Sequence, residues 1–277
     1  MKHNMTLGIL GGGQLGRMSA MAAARLGISC VIFCPEENAP ASHVSAKTIV
    51  AAYDDKDALK EFSDLCDVIT YEFENIPVET ISYLESLKEN SVLPEKTLLH
   101  VSQDRVKEKQ FVNDCGIETA RWAAVANISD IQDTAEAWGS NGFVIKTTRF
   151  GYDGKGQIKA TKDDLSAQSD LVDFLKKTKD QDLIMEDMID FDCEVSIIVT
   201  RDVHGKTECY GPMLNDHKNH ILHTTTVPSG VSEEIAIAAR NASKVIADKV
   251  NLTGVLTVEF FVCKDGRVLV NEIAPRT

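Results

Sequence analysis

The sequence predicts a doubly wound α/β domain at its N-terminal end, followed by an α+β region built on antiparallel strands. Three observations carry this reading. Met5 to Leu10 is a short apolar run, followed by GGGQLGRM, a helical pattern to about Leu26, and a second apolar run from Ile28 to Cys34. Strand, glycine turn, helix and strand open a doubly wound domain. Further on, Phe143 to Thr148 and Gly156 to Ala160 are β-type runs around a loop with Gly151, Gly154 and Gly156. Near the end, Val255 to Val262 and Val268 to Ala274 flank Asp265-Gly266, the pair preferred in two-residue type I′ hairpin turns.

The chain has 277 residues, 43% apolar and 26% charged, enough for two or three domains with sizeable cores. No apolar run approaches the roughly 20 residues needed to span a bilayer, so no membrane partner is expected. MKHNMTLGIL lacks the apolar region and cleavage site of a signal peptide. The net charge of −13 argues against a nucleic-acid surface, which needs basic patches. It leaves open a nucleotide ligand, whose site needs only a few local cations. The seven cysteines are odd in number, scattered and without a CxxC pair, which fits a reducing cytoplasm.

Taking the elements in order, Leu15, Met18, Ala22 and Leu26 fall on one face of the first helix, and Gly27 suits its C-terminal cap. Gly11, Gly13 and Gly16 satisfy G-x-G-x-x-G, with Glu36 about 20 residues on, the pattern of a dinucleotide fingerprint. The same glycines suit any anion or ribose approaching a strand end. Asp67 to Phe73 reads as a buried strand ending in Glu72, Glu74 and Asn75 before Pro77. Acidic residues at the carboxyl end of a sheet strand stand where α/β sheets bind ligands; a solvated loop is the alternative. Pro94 closes the first domain. Gln103 to Cys115 reads as an amphipathic helix with Val106, Gln110 and Phe111 on one face and Gly116 ending it.

The glycine loop between the two middle runs can wrap backbone amides around phosphate oxygens. Lys146 on the incoming strand and Lys155 at the tip supply cations. No helix follows, so this is not a Walker motif; a glycine flap between antiparallel strands with a strand lysine is how protein kinases cover ATP. A plain hairpin tip is the alternative. Leu183 to Ile189 is a strand carrying Glu186 and Asp187. Cys193 to Thr200 and Glu208 to Met213 flank a turn with His204 and Gly205. His217, His220 and His223 lie on a segment that looks extended, which scatters them over both faces and argues against a histidine metal site. Val231 to Val250 reads as a helix with Ser232 as N-cap and Glu233 and Glu234 in its first turn.

If Asp265 and Gly266 form a two-residue turn, Glu259 stands opposite Glu272, on the face that also carries Phe261 and Val270. Like charges directly opposite destabilise a sheet pair. A shared proton or a divalent cation held by carboxylates and nucleotide phosphates would compensate; the remaining possibility is a slipped register.

These residues carry a resemblance. The flap with its strand lysine, the strand with Glu186 and the acidic hairpin ending NEIAPR resemble the ATP-grasp superfamily. GGGQLGRM at Gly11 to Met18, YEFENIP at Tyr71 to Pro77, GYDGKGQ at Gly151 to Gln157 and NEIAPR at Asn271 to Arg276 resemble one family within it, the 5-(carboxyamino)imidazole ribonucleotide synthetases. The match runs over essentially the whole chain. It implies a Rossmann-like pre-ATP-grasp substrate domain at 1–100, a small ATP-grasp subdomain with the lid at 101–185, and a second subdomain with the metal site at 186–277. It also implies a cytoplasmic, homodimeric ligase of purine biosynthesis that uses ATP, Mg²⁺ and bicarbonate on aminoimidazole ribonucleotide through carboxyphosphate. It displaces the dinucleotide reading of the first glycine loop.

The implied ATP contacts are Arg105, Lys146, Gly151, Tyr152, Asp153, Gly154, Lys155, Gly156, Gln157, Glu194 and His217. Glu186, Asp187, Met188 and Ile189 would offer backbone groups to adenine. Glu259 and Glu272, with Asn271 alongside, look like the Mg²⁺ site. Gln14, Leu15, Glu74, Tyr152 and Lys155 fall on the ribonucleotide side, and Lys146, Tyr152, Lys155 and Glu74 are the implied catalytic set. Ala274 stands where many ATP-grasp relatives carry Asn, which argues against a biotin carboxylase or a D-alanine ligase. The family continues beyond the equivalent of Thr277 with basic residues for the substrate phosphate, so the expectation is a truncated chain that binds ATP with little ribonucleotide-stimulated hydrolysis. Two alternatives stand beside this reading: another ATP-grasp ligase such as a formate-using glycinamide ribonucleotide transformylase, and a nucleotide-binding module without turnover.

Overall fold

The structure is a computed structural model that describes residues 5–89, 91–149, 151, 156–165, 170–218 and 221–276. Its first unit runs β1 (Thr6–Leu10), α1 (Gln14–Arg25), β2 (Ser29–Cys34), β3 (Lys47–Val50), α2 (Lys56–Leu65), β4 (Val68–Tyr71) and α3 (Val78–Leu87). The four strands are parallel in the order β3-β2-β1-β4, the doubly wound arrangement expected. Apolar clusters cover both faces: Leu10, Phe33, Phe62 and Tyr71 on one side, Ile9, Ile32 and Ala20 on the other.

Gly27 caps α1 as expected, at φ +73°. The amides of Gly27 and Ile28 return to the carbonyls of Ala24 and Ala23, the bonding pattern of a Schellman motif. The face of α1 is different from the expected one. Leu15, Met18 and Leu26 are exposed, and Gly16, Ala20 and Ala23 are buried. Small side chains let the helix lie close to the sheet, which the apolar stripe could not do.

Two helices, α4 (Lys96–Ser102) and α5 (Arg105–Asp114), lead into the second unit. Asp104 caps α5, accepting from the amides of Val106 and Lys107. Its buried residues are Glu108, Lys109 and Val112; of the expected face Phe111 packs, partly buried, against the core, while Gln110 is exposed and a buried acid and a buried base turn inward. The unit continues with β5 (Trp122–Val125), α6 (Ile128–Trp138), β6 (Gly142–Thr147), β7 (Gln157–Thr161), α7 (Asp170–Lys177) and β8 (Leu183–Asp187). The strands form an antiparallel sheet ordered β5-β8-β6-β7. The pairing of β6 with β7, Lys146 opposite Gln157, bears out the flap hairpin; Tyr152, Asp153, Gly154 and Lys155 lie outside the described residues.

The third unit holds β9 (Phe191–Arg201), β10 (Thr207–Lys218), β11 (Ile221–Thr226), α8 (Glu233–Lys249), β12 (Gly254–Cys263) and β13 (Val268–Arg276), its sheet ordered β11-β10-β9-β12-β13. Ser232 caps α8 through the Ile235 amide, and α8 packs Ala239, Ile246 and Ala247 on Val195, Ile197, Leu256 and Val258.

The final hairpin corrects the turn. The Gly266 amide donates to the Cys263 carbonyl and the Cys263 amide to the Arg267 carbonyl, a three-residue loop with Gly266 at φ +85°. That register pairs Phe261 with Leu269 and Phe260 with Val270. One extra residue, Asn271, then forms a bulge, and beyond it Glu259 meets Glu272. Val270, expected on the carboxylate face, is therefore in the core with Phe260.

Candidate functional site

The three units meet around a cavity of about 600 Å³. β6 contributes Lys146, and β8 with the turn after it contributes Glu186, Asp187, Met188 and Ile189. β9 and β10 contribute Glu194 and His217, and β12 and β13 contribute Glu259, Asn271 and Glu272. Arg105 from the start of α5, Gly151 and Gln157 from the flap, and Glu74 from the loop after β4 complete the residues expected there. Chain segments remote in sequence converge because the antiparallel sheets of the second and third units face each other across it.

Gly156 does not line the cavity; it shapes the flap, at φ +72° with its carbonyl accepting from Thr147. Gln14 and Leu15 are exposed at the start of α1 and are not among the lining residues. Tyr152, Asp153, Gly154, Lys155 and His220 fall outside the described residues, and among the described residues no cluster of three or more His, Cys, Asp or Glu could hold a metal.

Charge is organised around Glu186, 3% exposed. Its Oε1 lies 2.9 Å from Lys146 Nζ and its Oε2 lies 3.4 Å from Lys109 Nζ. Burial pushes this carboxyl up, yet the ammonium groups of Lys109 and Lys146, with Arg105, hold it at about 2. Burial draws Lys146 down from its ordinary value, against the pull of Glu186. A lysine held by a single carboxylate at a cavity wall keeps charge directed toward an anionic ligand.

Arg105 joins the flap to the acidic hairpin. Its guanidinium donates to the Gly151 carbonyl at 3.0 Å and lies 3.6 Å from a Glu272 oxygen. His217 Nδ1 abuts the Glu194 carboxylate across β9 and β10. Asp187 turns its carboxylate away to Arg121 and Ser140. The amides of Asp187 and Met188 are used by the carbonyls of Arg121 and Gly142, which narrows what this stretch can offer a base. Phe191 and Phe261 stack at 4.7 Å beside Glu194.

Sequence reasoning missed Glu108, Lys109 and Gln103. Gln103 donates to the carbonyls of Glu74 and Ile76 at 2.7 and 2.6 Å, tying the loop after β4 to the entry of α5. Lys109 was legible only as the residue four after Arg105, hence on its side of the helix. Glu72, expected with Glu74 and Asn75 at the ligand end of its strand or in a solvated loop, is instead buried and not among the cavity-lining residues. Its carboxylate accepts from the amides of Gly13, at 2.6 Å, and Gly16. A Cβ built on Gly11 would stand 2.4 Å from Glu72 Cγ. The first glycine loop and the N-terminus of α1 thus enclose a carboxylate of the protein itself, where a dinucleotide fingerprint would seat a pyrophosphate.

The chain is similar to known proteins along its whole length. Residues 4–103 match the ribonucleotide synthetase pre-ATP-grasp domain and residues 110–277 the ATP-grasp domain. The N5-carboxyaminoimidazole ribonucleotide synthase of Brucella melitensis is 44% identical over 277 residues, covering 100% of this chain and 75% of that protein. The solved N5-carboxyaminoimidazole synthetase of Staphylococcus aureus complexed with ADP superposes with a TM-score of 0.90 at 33% identity, over 100% of this chain and 72% of that one. The carboxyaminoimidazole ribonucleotide synthase of Aspergillus clavatus complexed with ATP gives a TM-score of 0.88 at 25% identity, over 99% and 70%. With two domain models in order along the chain and a relative of this similarity, the protein belongs to the N5-carboxyaminoimidazole ribonucleotide synthase family of ATP-grasp proteins.

Proposed function

We propose that the protein uses ATP to carboxylate 5-aminoimidazole ribonucleotide with bicarbonate in purine biosynthesis. A bicarbonate oxygen attacks the γ-phosphorus of ATP and ADP leaves, forming carboxyphosphate. The exocyclic amine of the ribonucleotide then takes the carboxyl group, directly or as CO₂, and phosphate is released. The observation that best supports this is the meeting of Lys146, Arg105 and the paired acids Glu259 and Glu272 in one cavity that Gly151 and Gln157 also line. Such an arrangement acts by positioning and by neutralising phosphate charge.

In this reading Lys146, Arg105 and the flap from Gly151 to Gln157 hold the phosphates, Glu194 holds the ribose with His217 beside it, and Ile189 offers its amide to the base. Glu74 serves the ribonucleotide side, with Tyr152 and Lys155. Glu259 and Glu272 suit Mg²⁺, which usually takes one or two carboxylates and completes its shell with water and substrate phosphates. They are direct cross-strand partners on a cavity wall, a donor set of hard oxygens. Bound there, Mg²⁺ would neutralise phosphate charge. The protein works in the cytoplasm as a homodimer on this reading; among the described residues no helix is long and apolar enough to cross a membrane.

The test is calorimetric titration with MgATP and with NAD, followed by phosphate release with bicarbonate or the ribonucleotide omitted. ATP binding and bicarbonate-dependent release support the reading. Tighter binding of NAD, or release stimulated by formate with glycinamide ribonucleotide, overturns it.

A further inference from the structure

Lysine is almost never fully buried unless paired, yet Lys109 is 2% exposed and not among the cavity-lining residues. Its ammonium donates to the Asn271 carbonyl at 2.6 Å and lies 3.4 Å from Glu186 Oε2. Asn271 is the bulge residue of β13, and a bulge leaves the extra residue outside the ladder. The preceding side chain, Glu108, accepts from the Ile273 amide. The two neighbours on α5 therefore grip β13 at the residues on either side of Glu272. Glu186, in turn, holds Lys146 at 2.9 Å.

We infer that Lys109 is a positioning residue that ties β8 to β13 from behind the cavity wall, fixing Lys146 through Glu186 and Glu272 through the Asn271 carbonyl. The inference rests on the ATP-site reading above. A lysine touching no ligand then sets the separation between the cation expected at the phosphates and the carboxylates expected at Mg²⁺. Neither β8 nor the β12–β13 hairpin specifies that distance alone, because they belong to different sheets. The bulge at Asn271 has a second consequence here: besides restoring the pairing of Glu259 with Glu272, it presents a carbonyl for Lys109 to hold.

The experiment compares wild type with Lys109→Met and Lys109→Arg. ATP affinity is titrated with and without Mg²⁺, and thermal unfolding is followed in parallel. Wild type that binds no ATP would defeat the ATP-site reading itself. With wild type binding, Lys109→Met is expected to fold and to weaken MgATP binding about tenfold, with the Mg²⁺-dependent gain in affinity reduced most. Lys109→Arg, which keeps the charge, is expected to recover most of that gain. MgATP binding by Lys109→Met equal to wild type, or an equal loss with and without Mg²⁺ that Lys109→Arg does not recover, would overturn the inference while leaving the site reading intact. Should Lys109→Met not fold, amide exchange in the wild type decides. MgATP should then slow exchange in 107–112 together with 270–274, and protection of 270–274 alone would refute the coupling.

Discussion

Glu259 and Glu272 stand directly opposite each other across the β12–β13 hairpin, and two departures from a regular hairpin cancel to place them there. The three-residue turn closing on Gly266 shifts the register by one residue, and the bulge at Asn271 shifts it back. The bulge also turns Val270 into the core, so the carboxylates share their face with Phe261 alone of the two apolar neighbours first expected.

Replacing one acid should separate a metal role from a structural one. Glu272→Gln removes a like-charge pair whose repulsion is about 0.2–1 kcal/mol, and also the half-exposed contact with Arg105 at 3.6 Å, a kind of pair that contributes about 0–1 kcal/mol. The expected outcome is apo stability within about 1 kcal/mol of wild type in urea unfolding, with loss of the Mg²⁺-dependent gain in ATP affinity. A loss of several kcal/mol without ligand would mark the pair as structural.

Lys146→Ala should weaken ATP binding without unfolding the second unit. Glu186 keeps Lys109 as its partner at 3.4 Å, so no buried carboxylate is left alone. The lost charge-assisted contact to phosphate corresponds to about 1.5–3 kcal/mol, or roughly ten- to 150-fold in dissociation constant. Calorimetry reads this directly, and an unchanged constant would remove Lys146 from the phosphate site.

Glu72→Ala should destabilise the first unit and leave nucleotide preference untouched. The amides of Gly13 and Gly16 lose their acceptor, and an unsatisfied buried donor costs about 1–3 kcal/mol. Denaturant unfolding measures the loss. NAD binding gained by this variant would show instead that the glycine loop is a dinucleotide seat that Glu72 blocks.

Glu108 should make apo stability fall as pH rises. Burial raises its carboxyl to about 8, with Glu272 adding to the rise and Lys109 opposing it, against an ordinary value of 4.5. Between these values the folded chain holds a proton that the unfolded chain has released, so this contribution is complete below 4.5 and is lost as pH rises toward 8. Glu108→Gln keeps an acceptor for the Ile273 amide and carries no titrating group. Its unfolding free energy should therefore decline less than that of wild type between pH 5 and pH 8. Parallel profiles for the two proteins would refute the assignment.

The sequence by itself determined the opening strand, glycine turn, helix and strand, the flap with Lys146, α8 and the final hairpin, and its resemblance to ATP-grasp ligases put Arg105, Glu186, Glu194 and Glu272 in one site. Glycine turns, caps such as Ser232 and two-residue periodicity are local, and local geometry is written in neighbouring residues. It did not show which face of α1 or α5 turns inward. Burial is decided by what a helix meets: small Gly16 and Ala20 against a close sheet, and polar Glu108 and Lys109 against partners more than 150 positions away at Asn271 and Ile273. The acidic pair was placed correctly by a turn that does not occur, because a bulge far from the turn restored the register. Glu72 shows the same limit. Its acidity was visible, but the amides that enclose it are brought to it only when β4 lies beside β1. Tertiary structure alone decided these points, since a buried charge is stable only where its counter-groups converge in space.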